Sequence, residues 1–162
     1  MLLTIALNSF HKKNLFVCEE PSLEGYLRKQ AGQDVRKQVA VCFILEGQDG
    51  AIKGYYTLSA DSVDRNFIPV HLQKNLPYKN LPVTLLGRLA RDSSYKGQGI
   101  GELLLADALR RAYQASSTIG AWAVVTDPIN DKARAFYEGF GFISLESGRM
   151  FIPMETIKAS FP

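Results

Sequence analysis

The chain has 162 residues, 46% hydrophobic and 22% charged, with 19 basic against 16 acidic side chains and a net charge of +3. That balance excludes a disordered or low-complexity chain, and no apolar run approaches the ~20 residues a membrane-spanning helix needs. There are no repeats or linkers, so the length predicts a single domain over 1–162, large enough to bury a core.

In chain order, the apolar stretch Met1–Leu7 reads as an edge strand, since it lacks the basic leader and small-residue cleavage site of a signal peptide. Pro21-Ser22 opens a helix whose apolar stripe is Leu23, Tyr26, Leu27 and Ala31, continuing through Val35. Its other face carries Arg28, Lys29, Arg36 and Lys37, which is either a solvated face or a binding surface. Val39–Leu45 and Ile52–Leu58 read as strands joined by turn chemistry at Gly47-Gln48-Asp49-Gly50. Residues 59–80 are polar and irregular, with Pro69 and Pro77 framing at most one short helix. A connection that long often covers a site.

Val83–Leu89 reads as a buried strand by its short apolar run, and Leu104, Leu105, Ala108 and Leu109 mark a helix. Ala121–Val125 is another buried strand, ending at Thr126-Asp127-Pro128. Asn130–Tyr137 is a short helix stopped by Gly139 and Gly141, and Ile143–Leu145 pairs with Met150–Pro153 around Ser147-Gly148. The alternation predicts an α/β fold, a mixed sheet with helices on both sides. Cys18 and Cys42 have no metal-ligand spacing and are expected as reduced, packed thiols of a cytoplasmic protein; no metal site is expected. His11 and His71 sit in polar loops with no nucleophile beside them.

Between the Val83 strand and its helix lies Tyr95-Lys96-Gly97-Gln98-Gly99-Ile100-Gly101, with glycine at every second position. A strand feeding such a turn into a helix leaves backbone N–H groups unpaired at the positive end of the helix dipole, which suits a phosphate. Glycine permits close approach and positive φ. The spacing is neither the dinucleotide fingerprint Gly-x-Gly-x-x-Gly nor a loop followed by Gly-Lys-Ser/Thr.

What it does resemble is the pyrophosphate loop of the GNAT-type N-acetyltransferases, a Gln, Arg or Lys followed by x-x-Gly-x-Gly/Ala. The run Asn130-Asp131-Lys132-Ala133-Arg134-Ala135-Phe136-Tyr137-Glu138-Gly139-Phe140-Gly141-Phe142 is similar to that family's downstream element Asn-x-x-Ala-x-x-Phe/Leu-Tyr-x-x-x-Gly-Phe. Leu86-Gly87-Arg88-Leu89-Ala90-x-Asp92, together with Gly54-Tyr55-Tyr56-Thr57-Leu58-Ser59, looks like the toxin branch of bacterial toxin–antitoxin pairs. This sequence departs from that branch in having Arg91 where an apolar residue is usual, in Glu19 after Cys18, and around Pro128-Ile129.

The resemblance implies the GNAT fold, a central, mostly antiparallel twisted sheet flanked by helices on both faces. It also implies acetyl-CoA as cofactor, with Lys96, Gly97, Gln98, Gly99, Ile100 and Gly101 on the diphosphate. Leu89, Ala90 and Arg91 would pair with the pantetheine arm through their backbone, and Asn130 would bond that arm, unless it serves as a helix N-cap. Tyr137 lies where the family places a general acid for the departing thiolate. A phenol of pKa about 10 holds its proton at neutral pH; without the family, a packed aromatic beside Phe136 and Phe140 reads as well.

The branch acetylates the α-amino group of aminoacyl-tRNA, stopping translation. An α-amine of pKa about 7.7–8.0 is partly neutral at pH 7 and needs no strong base, whereas a lysine amine at about 10.4 does. Arg28, Lys29, Arg36, Lys37, Arg88 and Arg91 are the candidate tRNA contacts, spread over a homodimer. A ribbon–helix–helix antitoxin is the implied protein partner, and no membrane is involved. Two alternatives stay open: a GNAT enzyme acting on a small amine or a protein N-terminus, and a non-catalytic acetyl-CoA-binding partner of an antitoxin.

Overall fold

In the computed structural model, which describes residues 1–161, the apolar runs become seven strands. These are β1 (Ile5–Ala6), β2 (Val41–Glu46), β3 (Ile52–Asp64), β4 (Asn80–Arg91), β5 (Ala123–Thr126), β6 (Ile143–Ser144) and β7 (Met150–Pro153). They form one sheet in the order β1-β2-β3-β4-β5-β7-β6. The β4–β5 pair is parallel, while β1–β2, β2–β3, β5–β7 and β6–β7 are antiparallel, so the expected mixed, mostly antiparallel sheet is present. The helices are α1 (Pro21–Gly25), α2 (Ala31–Arg36), α3 (Val70–Gln73), α4 (Ile100–Ala115), α5 (Asp131–Gly139) and α6 (Met154–Ser160). A parallel pair needs a long crossover, and the glycine loop with α4 supplies it. No helix among the described residues is long and apolar enough to cross a membrane.

The chain divides into two compact units, Met1–Ser59 with Gly87–Ala108 and Ala60–Leu86 with Leu109–Pro162. In the first, neighbouring residues of β3 serve opposite faces of the sheet. Tyr55 packs with Phe16, Tyr26, Leu27 and Ala31 on the side of α1 and α2, over Cys42 and Ile44 of β2. Gly54 faces α4, where a Cβ would stand 2.6 Å from Leu104. Tyr56, on that same face, donates to Asp107 Oδ2 of α4 at 2.7 Å. The buried Asp107 carboxylate also accepts the Thr4 hydroxyl and the Leu3 amide, both at 2.5 Å, which pins the N-terminal segment.

The helix expected from Pro21 to Val35 forms, but Tyr26–Gln30 between α1 and α2 is a π turn in which the Ala31 amide reaches back to Tyr26 O. Such a turn inserts one extra residue and is frequent at functional sites.

The second unit has its own core of Val63, Ile68, Leu81, Val83, Ala123, Val125, Leu145 and Phe151, with Trp122 stacked on Phe151 at 5.4 Å. Its β4–β5 ladder pairs Val83 with Ala123 through Leu86 with Thr126, and all four residues of β5 are buried, as a parallel strand requires.

Three expectations change. β3 runs to Asp64 and β4 begins at Asn80, so part of the stretch read as irregular is strand; exposed Ala60, Asp61 and Ser62 gave no apolar alternation to mark it. β1 is only two residues long. The helix α6 was not foreseen; its two buried anchors, Met154 and Ile157, are too few to establish a helical period.

Candidate active site

The glycine loop belongs to the first unit and follows directly from β4. Leu89, Ala90 and Arg91 are the last residues of that strand, with Ala90 buried. Gly97 and Gly99 have φ of +79° and +74°, the left-handed region that a side chain resists. Gly101 lies inside the first turn of α4 and shows no positive φ. Among the described residues, neither the Gly97 nor the Gly99 amide donates to a protein acceptor. The Ile100–Glu102 amides of the first helical turn lack an intrahelical acceptor by construction. A Cβ on Gly97 would meet nothing within 4 Å, so the space before these amides is open on that side. Lys96 and Gln98 are exposed beside them.

Asp92 sets this loop in place, although nothing in the sequence singled it out for a role. Its buried carboxylate accepts from Val17 N at 3.0 Å and Ser94 N at 2.8 Å, and its own amide donates to Lys53 O at 2.8 Å. The 3-10 turn Ser93–Tyr95 is thereby tied to two other segments before the chain reaches Gly97. Tyr95 lies under Lys53, whose ammonium is 5.5 Å from the ring centre.

The basic residues expected on the acceptor side all lie in the first unit but differ in their engagement. Arg28 donates to Phe16 O through Nε at 3.1 Å and Nη2 at 2.8 Å, and stands 3.9 Å from Glu24, so it braces the loop before α1. Arg91 pairs with Glu19 at 3.5 Å and donates to Asp92 O. The Glu19 carboxyl lies below its usual range, through its own backbone amide first and then the charges of Arg91 and Lys96. Lys29, Arg36 and Lys37 are exposed, and a Cβ on Gly32 would stand 3.3 Å from both Arg36 Nη1 and Lys13 Nζ. Arg88 is held differently, with its guanidinium carbon 3.7 Å above the Tyr26 ring centre. Burial and the hydrogen bond to Asp34 raise the Tyr26 phenol, against the pull of Arg88.

Asn130 and Tyr137 belong to the second unit. Asn130 is the N-cap of α5, its side chain accepting from Ala133 N at 2.8 Å. Tyr137 is 7% exposed, its ring 5.4 Å from Phe136 and 5.2 Å from Phe142. Burial pushes its phenol above the usual 10.0, and a hydrogen bond with the Thr126 hydroxyl offsets part of that rise. Thr126 is a second residue that sequence reasoning missed. Nearby, Arg149 donates to Asp61 at 2.7 Å and Asp127 at 3.0 Å. Among the described residues no cluster of three or more His, Cys, Asp or Glu is placed to hold a metal. His11, read as a loop residue, is buried and bonded through Nε2 to Glu46 at 2.9 Å.

Residues 7–142 match the acetyltransferase (GNAT) family. A "tRNA-acetylating toxin" of Mycobacterium tuberculosis is 40% identical over 127 residues, 78% of this chain and 75% of that protein. Two solved structures are similar over nearly the whole chain. AtaT complexed with acetyl-methionyl-tRNAfMet has a TM-score of 0.91 at 31% identity, covering 98% of each chain. An AtaT mutant toxin bound to the C-terminus of the antitoxin AtaR and acetyl-CoA has a TM-score of 0.82 at 29% identity, covering 98% of this chain and 96% of that one.

Proposed function

The chain belongs to the acetyltransferase (GNAT) family, and from that premise we propose that it is a toxin that transfers the acetyl group of acetyl-CoA to the α-amino group of aminoacyl-tRNA. The observation that carries this reading is the loop of unpaired amides at Gly97, Gly99 and the start of α4, where two left-handed glycines leave backbone donors without a protein acceptor. Those amides, with Lys96 and Gln98 beside them, fit a diphosphate. Acetyl-CoA supplies the acyl group as a thioester.

The edge of β4 at Leu89–Arg91 offers backbone groups to the pantetheine arm, and an amide there polarises the thioester carbonyl. Asn130 bonds the arm while capping α5. The neutral amine attacks the carbonyl carbon, the N–C bond forms as the C–S bond breaks, and Tyr137 gives its proton to the departing sulfur. Water takes the proton the amine sheds. Burial supports that role because it holds the phenol protonated at neutral pH. Arg28, Lys29, Arg36, Lys37, Arg88 and Arg91 form the tRNA surface; Arg28 and Arg91 serve it mainly by bracing neighbouring segments. The protein acts in the cytoplasm as a homodimer, neutralised by a ribbon–helix–helix antitoxin.

The test is direct. Purified protein with acetyl-CoA and charged tRNA should yield acetyl-aminoacyl-tRNA by mass spectrometry, and Tyr137→Phe should lower kcat by about 10²–10⁴ without weakening acetyl-CoA binding. Turnover that ignores the tRNA body and ionic strength favours a small amine instead, and unchanged turnover in Tyr137→Phe removes the phenol from the mechanism.

A further inference from the structure

Arg88 differs from the other basic residues of the first unit in how it is held. Its guanidinium sits over the Tyr26 ring with the central carbon 3.7 Å from the ring centre, and its backbone amide donates to Thr57 Oγ1 at 3.0 Å. Tyr26 is itself fixed: it is 7% exposed and donates its phenol proton to Asp34 Oδ2 at 2.8 Å, while Gln30 donates to the other carboxylate oxygen at 2.9 Å. Residues eight apart lie about 12 Å apart along an unbroken α-helix. The π turn Tyr26–Gln30 shortens that span and lets the ring and the carboxylate meet.

Asp34 therefore has both oxygens engaged. Among the described residues the Arg88 guanidinium donates no hydrogen bond and forms no ion pair, and none of its nitrogens is sealed from water. A guanidinium stacked on one face presents its N–H edge in a fixed plane, the arrangement for two-pronged binding of a phosphate or carboxylate.

We propose that Arg88, shelved on Tyr26, is a clamp for a single phosphodiester in the 3′-terminal nucleotides of the acceptor. This rests on the reading that aminoacyl-tRNA is that acceptor. The chemistry selects the phosphodiester. The amino acid's own carboxyl is esterified, so the anions nearest the reacting amine are the phosphates of the last nucleotides. Arg88 is two residues before Ala90 on β4, about 7 Å along a strand, which puts its edge near the segment assigned to the thioester. Tyr26 is a positioning residue, acting through Arg88.

The experiment compares wild type with Arg88→Ala, Arg88→Lys, Tyr26→Leu and Tyr26→Phe on three readouts. These are KM for charged tRNA, KM for an aminoacyl-adenosine that carries the ester but no phosphate, and anisotropy with a labelled CCA-ended stem-loop. Arg88→Ala should raise KM for charged tRNA by about tenfold or more, the worth of one charge-assisted pair. It should also flatten the salt dependence by about one phosphate contact. The penalty should shrink at least fivefold, a margin set well beyond about twofold assay scatter, on the phosphate-free acceptor.

Arg88→Lys should regain the salt dependence but not the KM, and Tyr26→Phe should cost less than Tyr26→Leu because it keeps the ring under the guanidinium. An equal penalty on both acceptors, or a parallel loss of acetyl-CoA affinity, overturns the clamp. If wild type acetylates charged tRNA and Arg88→Ala changes nothing, the clamp fails while the proposed function stands. If no acetylation occurs but the stem-loop binds through Arg88, the clamp stands and the proposed function fails.

Discussion

The Thr126 hydroxyl donates to the Leu86 carbonyl at 3.0 Å across the parallel β4–β5 pair. The same hydroxyl is hydrogen-bonded with the Tyr137 phenol, a contact that eases ionisation of the phenol. In the mechanism proposed above, once the phenol gives up its proton the hydroxyl can turn from Leu86 and donate to the phenolate. Thr126→Val keeps the shape and removes this pivot. It should lower kcat about two- to tenfold, the worth of one neutral hydrogen bond, and leave KM for acetyl-CoA within twofold. Equal kcat in the two proteins would show that Thr126 only packs.

The raised phenol pKa sets a pH profile. With the native value raised above the usual 10.0, Tyr137 keeps its proton across neutral and mildly basic pH, so no basic limb should come from it near pH 8 or 9. The stabilisation linked to its neutral form is likewise complete below pH 10 and is lost only as pH rises through the native value. kcat/KM should climb through about pH 7–8 as the acceptor amine deprotonates and then stay level. A fall in rate near pH 8 or 9, absent in Tyr137→Phe, contradicts the assignment.

Asp92→Ala leaves the Val17 and Ser94 amides without their acceptor; both bonds are part-buried, so the loss is about 0.5–1.5 kcal/mol for each. Because that carboxylate fixes the turn leading into Gly97, KM for acetyl-CoA should rise about tenfold with kcat nearly unchanged. A thermal melt that drops while coenzyme binding holds would confine Asp92 to stability.

Gly54→Ala should be among the more harmful single-methyl additions. The new Cβ would stand 2.6 Å from Leu104 Cδ1 and 2.8 Å from Ala90 O, and the second contact is backbone. Overpacking of this kind costs about 1–3 kcal/mol. Here it also pushes the β4 residue that is expected to face the thioester, so activity should fall at temperatures where the fold persists. Denaturant midpoints and turnover at 15 °C separate the two effects.

What the sequence disclosed was local chemistry. Glycines at 97 and 99 announce themselves because positive φ is written into residue type, and the Asn130 cap and the α5 pattern lie within a few positions of each other. The mixed sheet followed from apolar runs long enough to count, whereas the spatial order of its strands did not. Partners distant in the chain were invisible: Val17 reaches Asp92 over 75 positions, and Arg88 reaches Thr57 over 31. Arg28 looked like free surface charge for the same reason, since a spacing rule cannot show that Phe16 O consumes it. β3 outran its expected end because exposed strand residues carry no apolar signature.

The π turn at Tyr26–Gln30 is one residue more than a regular coil would hold. Deleting a single position there would let the segment relax into ordinary pitch, with tidier backbone bonding. Everything downstream would then rotate by about 100°, carrying Asp34 away from the phenol it anchors. The arginine would then be left unaimed, so the irregular pitch is what keeps its shelf in place.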